Sequence, residues 1–176
     1  MMKELRLCGS GGQGLITAGI IMAEAAVAEG KEVVQTQSYG PEARGGASKA
    51  EVIIADAFIY HPKAVIPDLV LAMTQEAADK YVADIKDDGL VIVDEDLVPD
   101  VPAGRQVIKV PITRLSVEKL GKELFANMVA LGLLVKVSGL VSFESIQKAV
   151  ANRVPPATVE KNLEALRVGF AAAPKW

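Results

Sequence analysis

Apolar residues along this chain change their spacing at regular intervals, and the changes mark alternating strands and helices. Residues 3–8 form a short apolar strand that runs straight into glycines, and residues 13–29 then read as a small-residue helix stopped by Gly30. Further strand patterns cover residues 32–37, 49–55, 68–73, 89–94 and 105–110, the last closed by Pro111. The runs at 68–73 and 89–94 are continuously apolar, as strands covered on both faces should be. A helix is expected over 75–85 with Thr74 as its N-cap, and the C-terminal third reads as helices over 116–137, 142–152 and 158–171. This order predicts a single α/β domain, residues 1–176, with a mostly parallel open sheet flanked by helices, a Rossmann-like start and a helical C-terminal third.

Within that third, residues 125–134 are apolar nearly all the way round, so the helix must be covered on every side, by the core or by another subunit. Gly132 leaves it an approachable face. Asn127, a polar residue in the same stretch, is expected to make a structural hydrogen bond.

The glycines after the first strand, Gly9-Ser10-Gly11-Gly12-Gln13-Gly14, contain the G-x-G-x-x-G spacing of a turn that brings backbone N–H groups to an anionic ligand or a close neighbour. A dinucleotide site also needs an acidic residue near the far end of the second strand to hold the ribose hydroxyls. That end carries Gln35, Thr36 and Gln37, while Glu32 lies at the opposite end. A nicotinamide or flavin site is therefore disfavoured, and close approach by another group fits four glycines in so short a turn better.

Composition narrows the function classes. With 19 basic and 22 acidic residues and a net charge of −3, no footprint for nucleic acid or an anionic membrane stands out. The hydrophobic share of 51% precedes the 15 glycines and points to buried interfaces, yet the longest apolar run is far short of the roughly 20 residues that span a membrane. No signal peptide is visible at the start, so a cytoplasmic location is expected. Cys8 and His61 each stand alone, which leaves no ligand set here for a metal or an iron–sulfur cluster. Cys8 reads as a small buried hydrophobe, and His61, in a turn-like segment, is assigned no chemistry.

Residues 38–48 leave the carboxyl end of the second strand beside the glycine turn, the edge where ligands and partners of an open α/β sheet sit. The segment brings together Tyr39, Gly40, Pro41, Glu42, Arg44, Gly45 and Gly46. A guanidinium flanked by glycines suits close contact with a carboxylate or phosphate.

Gly-Ser-Gly-Gly-Gln-Gly at residues 9–14, Ser-Tyr-Gly-Pro-Glu-Ala-Arg-Gly-Gly at 38–46 and Phe-Ala-Asn-Met-Val-Ala-Leu-Gly at 125–132 resemble, in order, the gamma subunit of 2-oxoacid:ferredoxin oxidoreductases. Tyr39 and the Arg-Gly-Gly ending look closer to the 2-oxoglutarate and branched-chain members than to the pyruvate members. The resemblance implies oxidative decarboxylation of a 2-oxoacid to an acyl-coenzyme A, with thiamine diphosphate carrying the chemistry and [4Fe–4S] clusters passing electrons to ferredoxin. It also implies alpha and beta subunits as partners, with a ferredoxin-like delta subunit as a further candidate, and no cofactor on this chain.

On that reading the candidate site is a subunit interface or coenzyme A channel built from residues 9–14 with Tyr39 to Glu42 and Arg44 to Gly46. Gln13 would offer an amide, and Arg44 a cation, to a phosphate or a partner carboxylate. Two alternatives are a free-standing nucleotide- or coenzyme-A-binding module and an NAD(P)-dependent Rossmann oxidoreductase.

Overall fold

The computed structural model describes residues 1–38 and 46–175. Its strands β1 (Met2–Ser10), β2 (Glu32–Gln37), β3 (Ala47–Ala55), β4 (Leu69–Ala72), β5 (Leu90–Asp94) and β6 (Gln106–Val110) form one six-stranded sheet in the order β2-β3-β1-β4-β5-β6. β1, β4, β5 and β6 pair in parallel, while β3 runs antiparallel to both of its neighbours, β1 and β2. The mostly parallel α/β domain expected from the sequence is present, with one reversed strand between β1 and β2. The Rossmann-like start is thereby limited to β1, its turn and the following helix, since a dinucleotide unit would seat β2 beside β1.

Side-chain alternation splits the core into two layers. Leu5 and Leu7 of β1, Leu69 and Leu71 of β4, and Ile92 of β5 point into the larger core. That core is closed by α1 (Leu15–Ala28), α3 (Ile112–Leu120), α4 (Ala126–Ser138), α5 (Phe143–Arg153) and α6 (Val159–Ala172). Cys8, Val70, Ala72, Val91 and Val93 point the other way, toward α2 (Gln75–Tyr81). On this second face Arg6 and Glu51 are both buried, with Nε and Oε1 2.9 Å apart. Arg6 Nη1 also donates to Tyr81 O at 2.9 Å, so the ion pair locks β1, β3 and α2 in register.

Local chemistry sets the helix ends. Thr74 Oγ1 accepts from Ala77 N at 3.3 Å, as expected of an N-cap, although α2 stops at Tyr81 rather than 85. The helix expected over 116–137 is two helices. Gly121 at φ 80° ends α3, a 3-10 turn at Glu123–Phe125 turns the chain, and α4 begins at Ala126. The largely apolar α4 is covered within this chain: Gly132 lies against the backbone of Leu166, and Gly169 against the backbone of Val129. The approachable face of Gly132 is thus occupied by α6.

At the amino edge Asp68 accepts hydrogen bonds from Lys86 Nζ and Glu4 N, both at 2.8 Å, and from Lys3 Nζ at 3.2 Å. Burial works to raise its pKa, but these donors outweigh it and hold the carboxyl below the usual carboxylate range. A depressed folded-state pKa contributes stability above the unfolded value of about 3.9, and that contribution is lost as pH falls through the folded value. In denaturation curves collected from pH 6 downward, Asp68→Asn should therefore lose less stability than the wild type over the acid range. Parallel pH profiles would refute the assignment.

Candidate active-complex surface

The carboxyl edge of the parallel strands carries the glycine turn. Gly9 is buried, Ser10, Gly11, Gln13 and Gly14 are half-buried, and Gly12 is exposed. Two of these glycines have internal reasons. A Cβ on Gly9 would run into the Gln13 amide and Leu15, and Gly14 combines φ 74° with a Cβ position 2.6 Å from Asn127 Nδ2. Gly12 has neither constraint: its φ is not positive, and among the described residues nothing lies within 4 Å of a Cβ there.

Gln13 turns inward. Its Oε1 accepts from Ser10 N at 2.9 Å and its Nε2 donates to Met73 O at 3.4 Å, which stitches the turn to the end of β4. The amide expected to face a ligand is engaged inside the turn, because its oxygen serves as the acceptor for Ser10 N in this tight bend. Asn127 Nδ2 donates to Gly14 O at 3.2 Å, the structural hydrogen bond expected of it, and ties the turn to the start of α4.

β3 brings the 38–48 segment to this turn. Gly9 pairs with Ser48 and Ser10 with Ala47, so Ala47 and Ser48 lie directly beside the glycines, next in sequence to the half-buried Gly46. Ser38 N donates to Lys49 O at 2.9 Å and Lys49 N to Ser38 Oγ at 3.1 Å, closing the base of the segment. Proximity to the turn thus arises through β3, since β2 is not next to β1. Tyr39, Gly40, Pro41, Glu42, Arg44 and Gly45 lie outside the described residues.

On its other side the turn borders a cleft of about 470 Å³ lined by Gly12, Gln13 and Gly14, Leu97, Thr113, Glu123, Leu124, Ala126 and Asn127. Three helices begin here: α1 after Gly14, α3 through Thr113, and α4 through Ala126 and Asn127, and none has a side-chain cap of its own or an acidic residue in its first turn. Asp94, fully buried at the end of β5, serves α3 from a distance by accepting from Thr113 N at 2.8 Å. Among the described residues Thr113 Oγ1 is the buried side-chain oxygen without a hydrogen-bond partner, and it lies at this cleft. A larger cleft of about 730 Å³ opens at the amino edge near Leu90, Gln106 and Lys136, but it contains no such group. Helix amino ends, an unpartnered hydroxyl and open glycine backbone suit an anionic or hydrogen-bonding visitor, which Glu123 would keep away from its own side.

Leu97, Thr113, Glu123 and Leu124 were not singled out by the sequence. Their signal was positional: Leu97 follows β5 and Thr113 follows β6, each just beyond the carboxyl end of a parallel strand.

The described residues do not fit a metal or an iron–sulfur cluster. No group of three or more His, Cys, Asp and Glu among them could hold an ion. Cys8 is fully buried, its Sγ 3.4 Å from Leu71 O, and burial pushes the thiol up to about 12 despite the nearby Arg6 and Lys49. It is the small buried hydrophobe expected. His61 Nε2 lies 3.0 Å from Glu4 Oε1. Among the described residues no helix is long and apolar enough to cross a membrane.

The model of the family described as pyruvate ferredoxin/flavodoxin oxidoreductase matches residues 4–172. The chain is 49% identical to 2-oxoglutarate synthase subunit KorC of Methanocaldococcus jannaschii over 98% of this chain and 95% of that one. It superposes on the crystal structure of a keto/oxoacid ferredoxin oxidoreductase gamma subunit from Geobacter sulfurreducens with TM-score 0.87 and 51% identity, covering 97% of this chain and 98% of the other. A 2-oxoglutarate:ferredoxin oxidoreductase from Magnetococcus marinus, with 2-oxoglutarate, coenzyme A and succinyl-CoA bound, matches with TM-score 0.88 and 25% identity. That match covers 98% of this chain but 31% of the other, so there the same domain is one part of a longer polypeptide.

Proposed function

The chain belongs to the pyruvate ferredoxin/flavodoxin oxidoreductase family, and from that premise we propose that it is the gamma subunit of a 2-oxoglutarate:ferredoxin oxidoreductase. Its carboxyl edge faces the thiamine-binding alpha and beta subunits and borders the path of coenzyme A. Thiamine diphosphate and iron–sulfur clusters on companion chains, including a ferredoxin-like delta subunit, supply the decarboxylation and the electron transfer to ferredoxin. This chain supplies a shaped surface: the backbone at Gly12 and the Thr113 hydroxyl offer hydrogen bonds, the helix amino ends favour negative charge, and Gln13 and Asn127 hold the turn in place.

Gly12 carries this reading, because nothing among the described residues requires a glycine there. The relatives' names and the coenzyme A bound in the Magnetococcus enzyme support the choice of reaction. The absence of an acidic residue at the end of β2, and the seat of β3 between β1 and β2, count against an NAD(P) enzyme.

Co-expression with tagged alpha and beta subunits tests the proposal: this chain should co-purify and be required for 2-oxoglutarate- and coenzyme-A-dependent ferredoxin reduction. A complex fully active without it would refute the reading. Arg44→Ala then separates the two roles of the 38–48 segment. If Arg44 meets a buried partner carboxylate, the interface loses about 2 to 5 kcal/mol and the subunits separate on a sizing column. If it meets a coenzyme A phosphate, the complex survives while KM for coenzyme A rises. Unchanged assembly and kinetics would remove Arg44 from the site.

A further inference from the structure

At the amino edge of the sheet, the end opposite the glycine turn, the connection between β3 and β4 exposes large apolar side chains. Phe58 is 69% exposed, Tyr60 89%, Val65 63% and Ile66 51%, and Met1 and Met2 of the adjoining β1 end are 55% and 44% exposed. Such residues on a loose loop would mean little. These are held in place. The carboxylate of Glu4, itself only 6% exposed, accepts from Val65 N at 2.9 Å and Ile66 N at 3.2 Å and pairs with His61 Nε2 at 3.0 Å. Phe58 and Tyr60 pack edge to face with ring centroids 4.9 Å apart. A buried carboxylate committed to anchoring exposed aromatic and β-branched side chains is the arrangement of an interface core, where rigid aromatic anchors dominate binding.

The occupant follows from where β1 begins and α6 ends. Met1 lies at the start of β1, and Ala173, Pro174 and Lys175 lie against Leu90 and Gln106, the first residues of β5 and β6. α6 therefore ends at the edge where β1 begins, β1 and β5 being two strands or about 10 Å apart, and Pro174 and Lys175 continue from there beside Val107 to Lys109 of β6. In the Magnetococcus enzyme this domain is 31% of a longer chain. A connection made at Met1 or at the end of α6 would depart from the edge that carries the apolar patch.

We propose that Phe58, Tyr60, Val65 and Ile66 form the docking surface for the separately encoded subunit that corresponds to the rest of that longer polypeptide. The proposal rests on the reading of this chain as a gamma subunit. It assigns the domain two working edges: one toward coenzyme A and the catalytic centre, the other for attachment. β1 runs from Met2 to Ser10 between them, roughly 25 to 30 Å, so changes at one edge need not reach the other.

The test uses the co-expressed complex. Phe58→Glu and Tyr60→Glu, alone and together, should leave the melting temperature of the isolated chain unchanged, since both side chains are exposed, while weakening binding to the larger subunit at least about 30-fold, the scale of an interface hot spot. Tyr60→Cys carrying a photo-crosslinker should capture that subunit, identified by mass spectrometry. If the wild type binds no larger subunit, the gamma-subunit reading fails. If the wild type binds and the double variant binds equally well, the docking surface fails alone. Capture of a ferredoxin-like chain, or a homodimer of the isolated chain that the double variant abolishes, would overturn the choice of occupant.

Discussion

Gly132→Ala and Gly169→Ala should each unfold this domain at markedly lower temperature, although each replaces a helical glycine with the best helix former. The intrinsic gain from glycine to alanine inside a helix is about 1 kcal/mol. Against it stands the packing of α4 on α6. A Cβ at Gly132 would fall on the carbonyl oxygen of Leu166, and one at Gly169 on that of Val129, both well inside van der Waals contact. The obstructing atoms are backbone, so no rotamer change relieves them, and the helices must move apart across a core that includes Val129, Leu133 and Leu166, all fully buried. Overpacking costs about 1 to 3 kcal/mol, occasionally more, and a Cβ set against backbone carbonyls sits at or beyond the top of that range. The net loss should be about 2 kcal/mol or more, a fall of roughly 4 to 8 °C in Tm for a domain of this length. Calorimetry on the isolated variants measures it directly. Wild-type stability in either variant would mean that the helices are not in backbone contact at these glycines.

This pair also marks how far sequence patterns reach. Residues 125–134 had to be covered on all sides, but no periodicity said by what, because the partner of Gly132 lies in α6, more than thirty residues on. The break at Gly121 was missed for a related reason. Apolar spacing continues from α3 into α4, and it outweighed a glycine whose left-handed φ appears only in three dimensions. Strands were more legible, since runs such as 69–72 and 90–94 are apolar enough to demand burial on both faces. The direction of β3 was not. Its residues fit a strand of either sense, and only pairing with both β1 and β2 reverses it.

The candidate site divides along the same line. The turn at residues 9–14 was legible because a strand, glycines and a helix follow one another locally. Thr113 and Leu124, about a hundred residues away, reach the same cleft only because β6 and α4 end and begin at the sheet's carboxyl edge. Gln13 shows the converse limit. A glutamine in a glycine-rich turn looks available for a ligand until Ser10 N and Met73 O are found already bound to it.

Gly12→Leu should separate function from folding more cleanly than any other change in the turn. Gly14 cannot do so: its φ of 74° and its contact with Asn127 make Gly14→Ala strained by about 1 to 2 kcal/mol, so lost activity there would be confounded with lost structure. At Gly12 the backbone has no positive φ, and a side chain would meet no atom of the described residues within 4 Å of its Cβ. The isolated Gly12→Leu domain should keep its stability within about 0.5 kcal/mol, as surface changes do. In the assembled enzyme the same side chain would occupy part of the 470 Å³ cleft beside Thr113. If coenzyme A passes there, kcat/KM for coenzyme A should fall by up to about 100-fold with the complex intact, the penalty of misplacing a bound group by about 1 Å. If a partner chain fills the cleft instead, the subunits should separate while the isolated domain melts normally. Gly12→Ala grades the effect, since one methyl intrudes less than an isobutyl group. An assembled Gly12→Leu enzyme with wild-type affinity between subunits and wild-type coenzyme A kinetics would show that the cleft takes no part in the reaction.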